Sequence, residues 1–384
     1  MIYASVTIYA IILTMIYFIL TILLIGITPL VFHPAFGGRS QKKDQKIIKA
    51  SKHFKKGAFH NSEKTTVDLR QADEGIRKTL MNFLFENRKL RTPEKPLSNE
   101  VINPSDYQKN YPNDALVRWL GHSTVLIRME GKTLITDPIF SDRASPFQFM
   151  GPKKFDYEIE YCAQDLPKID AVLISHDHYD HLDYHTIKKL KNKVNYFYVP
   201  LGVKAHLLKW GVDESKIIAL DWYQENQLDE IKLTLAPARH FSGRTLSDRN
   251  QTLWGGWIIQ STEKSIYFSG DTGYTAWFKK TGERYGPFDL ALMECGAYNK
   301  RWATVHMMPE ESIQAAMDLR AKAYLPIHNS KFNLSFHPWQ EPLERALSSI
   351  ESRGMNLITP VIGRPFKLNG NLPQKRWWQS LIKN

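Results

Sequence analysis

The chain has 384 residues, 43% hydrophobic and 23% charged, with a formal net charge of +12. That length is enough for one large or two medium domains with a substantial core, and the composition excludes a chain that is disordered by default. Its two cysteines, Cys162 and Cys295, lack CxxC spacing and fit free thiols in a reducing compartment.

The first 38 residues contain no Lys, Arg, Asp or Glu, and the apolar stretch from Ile2 to Phe32 exceeds the roughly 20 residues that span a bilayer. One transmembrane helix is expected over residues 1–36. A cleaved signal would want a basic n-region, a short apolar core and a small-residue cleavage site, and none is evident. Arg39 to Lys56 then carries eight basic residues against one Asp, which is +7 of the chain's +12. A basic excess beside a span stays on the cytoplasmic side, so the sequence predicts a single-pass membrane protein with its folded part in the cytoplasm. The basic run reads equally as a solvated juxtamembrane linker or as a contact for anionic head groups. Nucleic acid is not an expected partner, because most of the excess charge lies beside the span and not across a folded domain.

Residues 37–112 read as the basic linker and a polar lead-in, with one helix expected in "DEGIRKTLMNFLFENRKL". From about Ala115 short apolar runs alternate with helical patterns. Strands are expected in "ALVRWLG", "STVLIRME", "KTLITD", "AVLIS" and "YFYVP", with a helix in "YHTIKKLKN". A second series follows: "IKLTLAPA", the hairpin "LWGGWIIQSTEKSIYFSG", "FDLALME", "AYLPIH" and "NLITPVI", interleaved with helices in "TAWFKKTGERYG", "PEESIQAAMDLRA" and "EPLERALSSIESRG". Two such halves suggest two sheets packed face to face with helices outside, over residues 113–368. In the basic and aromatic tail, residues 369–384, Trp377 and Trp378 either pack on the core or dip into a membrane interface.

Histidines and acids gather at the expected strand ends: His122, Asp137, His176, His240, Asp271 and His328. The densest group is "SHDHYDHLD", residues 175–183, in which His176, His178, Asp180 and His181 form an HxHxDH pattern. A lone buried His is usually a packed core residue, but this set matches what a borderline-soft divalent cation binds. The i, i+4 logic of a helical HExxH site is absent, so a loop must splay the ligands toward two nearby centres. His240, Asp271 and His328 are the candidates to complete them, with Asp271, in "GDTG", as a bridge; two such cations would generate a hydrolytic nucleophile from water.

These motifs resemble the metallo-β-lactamase superfamily, with its four-layer αβ/βα sandwich. "HSTVLI", "TDPIFSDRASPFQFMGPKKF", "DAVLISHDHYDHLDY", "VPLGV", "LDWYQEN", "FSGDTGY", "GPFDLALM" and "MPEES" resemble, in order and spacing, its N-acylphosphatidylethanolamine-hydrolysing phospholipase D family, over about residues 53–365. The resemblance implies two Zn2+ per chain, one held by His176, His178 and His240, the other by Asp180, His181 and His328, with Asp271 bridging. It implies a supporting role behind the ligands for Asp137 and His122, and catalytic roles for Asp271, Asp180 and His306, the last as a phosphate or leaving-group contact. Three features depart from it: the expected anchor, Glu294 and Cys295 in "MECGAY" where a less polar strand end is usual, and Asp177 where an amide is expected.

The implied activity is a phosphodiesterase of phospholipase D type that cleaves an N-acylphosphatidylethanolamine-like phospholipid to phosphatidic acid and N-acylethanolamine. The alternatives are a dinuclear hydrolase of the same fold acting on a lactone or another phosphoester, and a binding module without catalysis, which gains nothing from seven retained ligand positions. The expected partners are the phospholipid substrate and the membrane. The resemblance also allows a homodimer, though no self-complementary face is evident in the sequence.

Overall fold

Short β-branched and aromatic runs separated by tight turns pair into two seven-stranded sheets in the computed structural model, which describes residues 14–18, 32–66, 90–351 and 353–382. A two-stranded hairpin comes first, β1 (Phe54–Lys55) and β2 (Ala58–Phe59). The first large sheet is built from β3 (Ala115–Trp119), β4 (Val125–Met129), β5 (Lys132–Thr136), β6 (Ile169–Leu173), β7 (Val194–Pro200) and β8 (Ile217–Leu220). The second contains β9 (Glu225–Leu228), β10 (Ile231–Ala236), β11 (Gly256–Gln260), β12 (Ser265–Phe268), β13 (Leu290–Glu294), β14 (Ala323–Ile327) and β15 (Asn356–Leu357). The last strand, β16 (Pro365–Lys367), returns to the first sheet beside β3.

Both sheets follow the same plan. Each begins as an antiparallel meander, β3–β4–β5 and β9–β10–β11–β12, and continues as parallel strands, β5–β6–β7–β8 and β12–β13–β14–β15. The β4–β5 hairpin turns on Glu130 and Gly131, both at positive φ, as the twist of a two-residue hairpin demands. Parallel neighbours need crossovers, and these carry the helices α2 (Tyr184–Leu190), α3 (Lys204–Lys209), α4 (Trp277–Tyr285), α5 (Pro309–Asp318) and α6 (Glu341–Ile350), which follow α1 (Lys42–Ala50) in the chain.

The pleat sorts the side chains of the second sheet. Leu290 and Leu292 of β13 join the large core shared with the first sheet, whereas Ala291 and Met293 join a second cluster with Phe278 of α4, Ile313 and Ala316 of α5 and Ile350 of α6. Strands buried on both faces explain why β13 and β14 read as unbroken apolar runs. The result is the four-layer αβ/βα sandwich expected from the sequence.

Outside the sheets the structure corrects several expectations. Among the described residues no helix is long and apolar enough to cross a membrane, which overturns the single-pass placement. Within the segment expected to span, residues 1–36, the described parts are a helical stretch over 14–18 and residues from 32 onward; the rest of that expectation lies outside the described residues. The helix expected in "DEGIRKTLMNFLFENRKL" also lies outside them, save for Leu90 at its end. The basic run is not a bare linker: it forms α1, buries Ile48 in the main core and pairs Lys43 with Glu214 and Asp44 with Lys204. Parts of the lead-in wrap the sandwich, with Phe59 and Leu97 wholly buried.

Trp377 and Trp378 pack on the core, and the Trp378 indole N–H donates to Glu344 Oε1 at 2.5 Å. This excludes the interfacial reading of the tail. Replacing Trp378 with Ala should therefore lower the unfolding free energy by about 3–5 kcal/mol, as for large aromatics removed from cores. The midpoint of urea unfolding measures it, and an unchanged midpoint would mean that the tail does not support the fold.

Candidate metal centre

Sheet ends from both halves converge on one buried cluster. The loop after β6 supplies His176, His178, Asp180 and His181; His240 follows β10, Asp271 follows β12 and His328 follows β14. Two turns let these loops approach. Gly270 has φ +57°, and a Cβ there would lie 2.6 Å from Ser175 Cβ, so only glycine brings the Asp271 loop this close to the histidine loop. His122, Asp137 and His328 themselves sit at positive φ, a backbone cost that persists only where surrounding contacts impose it. Those contacts are visible: His122 N–H donates to Asn329 O, His328 N–H to His122 O, and Asp137 N–H to Leu173 O, at 2.9–3.0 Å.

The three aspartates of "SHDHYDHLD" point three ways. Asp183 caps α2 by accepting from His185 N–H, and it also takes the Ser141 N–H and hydroxyl, which ties the histidine loop to the chain after β5. Asp177 turns away from the cluster, where its carboxylate accepts from Gly243 N–H, Thr252 Oγ1 and His206 Nε2. Burial alone would push Asp177 up, but the His206 imidazole and these hydrogen bonds outweigh it and hold the carboxyl well below its usual range. The charge that departs from the family pattern thus has its own partners. Asp180 alone faces inward.

Four overlapping groups of donor atoms result, each with its atoms within 4.8 Å of one another: His176, His178 and His240; His122, Asp180, His181 and His328; His176, His181 and Asp271; and Asp271, Glu294, His306 and His328. In the first, His176 Nε2 lies 2.9 Å from His178 Nδ1, which lies 3.3 Å from His240 Nε2. In the second, Asp180 Oδ2 lies 3.3 Å from His181 Nε2, 3.4 Å from His328 Nε2 and 3.1 Å from His122 Nε2. Asp271 stands between them: Oδ1 is 3.2 Å from His181 Nε2, while Oδ2 is 3.1 Å from His328 Nε2 and 3.8–3.9 Å from His240 and His176. His122 therefore touches the second group directly and stacks on His328.

A second layer fixes which nitrogen faces inward. Asp137 Oδ2 accepts the His181 Nδ1–H at 2.7 Å and the Ser175 hydroxyl at 2.5 Å, and that hydroxyl in turn takes the His176 Nδ1–H at 2.9 Å. Val305 O takes the His240 Nδ1–H at 3.0 Å. Each ring is thereby turned with Nε2 toward the cluster, the orientation that metal-binding histidines require. Ser175 went unnoticed in the sequence, where a serine at a strand end carries no signal of its own. Glu294 was visible there only as a charge in an apolar strand; here it is fully buried with His306 Nδ1 3.0 Å from its Oε2.

The cluster fits a cation. His181 Nε2, His328 Nε2 and Asp271 Oδ1 are buried with no hydrogen-bond partner, a costly state for three convergent atoms unless a positive ion claims them. The donor set of imidazoles and carboxylates suits a divalent transition metal. Electrostatics divides the groups. Burial and neighbouring imidazoles hold His176 and His240 well below the usual histidine range. Burial also opposes charge on His181 and His328, but the Asp271 and Asp180 carboxylates outweigh it and push both up, His328 to about 10.

Of the other histidines, His206 is buried, accepts Gly38 N–H at Nδ1 and faces Asp177, while His53 stacks on Trp222 and His337 on Tyr298, all in packing roles. His306 stands at the edge of the cluster, its ring 5.2 Å from that of His240 and 5.4 Å from that of His328.

Comparison with known proteins agrees with this geometry. A family model of the beta-lactamase superfamily domain matches residues 132–329. An uncharacterized protein of Mycobacterium tuberculosis is 38% identical over 350 residues, covering 90% of this chain and 92% of its own. The N-acyl-phosphatidylethanolamine-hydrolyzing phospholipase D 1 of Caenorhabditis elegans is 35% identical over 266 residues, covering 66% of this chain and 73% of its own. Among solved structures, a metallo hydrolase of the archaeon Ignicoccus hospitalis shares the fold with a TM-score of 0.50 at 21% identity, over 66% of this chain and 98% of that one.

Two outcomes follow from the second layer and the charges. Asp137→Asn should leave the fold intact and weaken metal retention about 10–100-fold, measured by chelator competition and elemental analysis; undiminished affinity would remove Asp137 from the support of His181. Loading the metal-free protein at neutral pH should release protons, because His181 and His328 must shed theirs to bind. Calorimetric titration in buffers of different ionisation enthalpy reads this, and a buffer-independent heat would contradict it.

Proposed function

The chain belongs to the N-acylphosphatidylethanolamine-hydrolysing phospholipase D family of the metallo-β-lactamase superfamily, and we propose that it cleaves a phospholipid of that substrate class. That it is a metallohydrolase of the β-lactamase fold follows from the family; the phospholipid is the proposal. The observation that supports it most is the pair of donor groups sharing Asp271.

His176, His178 and His240 would hold one divalent cation and Asp180, His181 and His328 the other, with Asp271 between them. When bound, two such ions, zinc for this donor set, supply Lewis acidity toward a phosphate and a water. The reaction is a hydrolysis. The water oxygen bonds to phosphorus, the bond from phosphorus to the N-acylethanolamine oxygen breaks, and that oxygen takes up a proton, leaving phosphatidic acid.

The chain's own residues set the stage for this. Asp137 and Ser175 lock two imidazoles with Nε2 inward. His306 belongs to neither of the two expected ligand sets, although it lies near Asp271, Glu294 and His328; 14% of its side chain is exposed, and its Nε2 has no protein partner among the described residues. With both ring nitrogens protonated, the Nδ1–H held by Glu294, it is placed to give the Nε2 proton to the departing oxygen. Phe241 meets His178 edge-on at 4.6 Å and leans on His240 at 4.7 Å, with the Arg249 guanidinium over its ring. Phe147 packs on His33 and on exposed Phe149, and Leu246 is also exposed.

Purified, metal-quantified protein incubated with a mixed phospholipid extract should generate N-acylethanolamine and phosphatidic acid, detected by mass spectrometry. Asp271→Asn should abolish both products and lower metal content. A metal-loaded protein that changes no lipid would overturn the phospholipid reading and move the search to lactones and soluble phosphoesters. His306→Ala should keep its metal and lose turnover by roughly 10²–10⁴-fold, the usual worth of a positioned proton donor.

A further inference from the structure

Strand β13 ends on a carboxylate in an otherwise apolar strand. Glu294 is wholly buried, while apolar residues fill the rest of the strand. Burying a charge costs several kcal/mol unless its oxygens are matched. Here both are matched, and by adjacent residues: Oε1 accepts the Met307 N–H at 2.6 Å, and Oε2 lies 3.0 Å from His306 Nδ1. The backbone of Glu294 is fixed as well, its N–H donating to Ser269 Oγ at 2.8 Å and its carbonyl accepting from Ser312 Oγ at 2.6 Å.

We infer that Glu294 is the positioning residue for His306, taking its Nδ1–H so that Nε2 is the nitrogen presented to substrate. The inference deepens the proposed role of His306 and rests on it. The geometry supplies the reason. His306 Nδ1 is also 4.0 Å from Asp271 Oδ2, so without a nearer acceptor the ring could turn that nitrogen onto the carboxylate shared by the two donor groups. Glu294 lies an ångström closer and holds the ring off. The Met307 N–H in turn keeps Oε1 from rotating, which leaves Oε2 in place for the imidazole. A carboxylate behind one imidazole nitrogen fixes which tautomer faces the substrate, the logic by which hydrolytic triads orient a general acid or base.

The test is Glu294→Gln, which keeps the volume and the Met307 bond but turns an amide N–H toward Nδ1. Nitrogen-15 NMR of the histidine rings, with His306→Ala for assignment, should show Nδ1 protonated in the unmodified protein and unprotonated in E294Q. Metal content should match the unmodified protein. With the phospholipid, kcat should fall about 100-fold, within the range for positioned acid–base groups, and KM should stay within about twofold. Added to His306→Ala, E294Q should cost nothing further, because it acts through that ring. An unprotonated Nδ1 in the unmodified protein, loss of metal in E294Q, or full additivity with His306→Ala would overturn the assignment. Should E294Q fail to fold, the NMR of the unmodified protein still decides. If no phospholipid is cleaved, the kinetic arm is run with bis(p-nitrophenyl) phosphate, so failure of the substrate reading leaves the positioning role separately testable.

Discussion

Burying seven imidazoles and four carboxylates against one another is the constraint on which the rest of this structure depends. His122, His176, His178, His181, His240, His306 and His328 share one region with Asp137, Asp180, Asp271 and Glu294, and almost all are hidden from solvent. Imidazoles so placed disfavour each other's charge, and unmatched carboxylates in a dry site are costly. The arrangement is stable only if every inward lone pair has a claimant and every outward N–H an acceptor. Ser175, Asp137, Glu294 and the Val305 carbonyl meet the outward half of that condition for His176, His181, His306 and His240, while His328 Nδ1 is buried without a partner among the described residues. The inward half is what makes the cluster a site for cations.

The sandwich meets this constraint by geometry. Each sheet turns from antiparallel to parallel midway, and Asp137 and Asp271 follow the strands at which the change occurs, β5 and β12. A parallel strand can leave its sheet only through a loop at its end, so His176 after β6 and His328 after β14 emerge near those aspartates. The two halves thus bring equivalent loops to a shared rim, where rigid strands set side-chain positions more firmly than long loops could. His122 and His328 exchange backbone hydrogen bonds through His122 O and Asn329 O, joining the ends of strands from different sheets.

Much of this was legible in the chain. The apolar runs located β3–β7 and β10–β14 because their extensive burial leaves few polar positions, and the HxHxDH pattern located the metal loop because no solvated turn concentrates such residues. What the sequence does not encode locally is direction. Asp177, Asp180 and Asp183 are chemically identical and evenly spaced, and only contacts from Thr252, Gly243 and Ser141, distant in sequence, send them to different tasks. The tail stayed open for a related reason: paired tryptophans beside basic residues suit an interface or a core equally, and only the fold brings Glu344 to one indole N–H. The basic run misled because its charge hides a single apolar position, Ile48, that anchors it to the core.

The segment just ahead of that run shows how the metal loop is held from behind. Residues 34–38 bury little apolar surface, yet their backbone is claimed repeatedly. Arg244 Nε donates to Ala35 O, Trp210 Nε1 to Pro34 O and Lys209 Nζ to Gly37 O, while Gly38 N–H donates to His206 Nδ1. The same side chains reach the other way. Arg244 Nη1 donates to Asp177 O and Leu182 O, the carbonyls that bracket the histidine loop, and His206 Nε2 faces the Asp177 carboxylate. Arg244 is buried and stacked over Tyr179 and Trp210, so it cannot exchange these carbonyls for water. A guanidinium has five donors in a fixed plane, and here that plane ties two chain segments to one loop. The acid at position 177, where an amide is expected, extends the tie: a carboxylate can accept from Thr252, Gly243 and His206 at once, whereas an amide would turn a donor toward one of them. The departure from the family pattern thus strengthens the wall behind the ligands and leaves the ligands themselves unchanged.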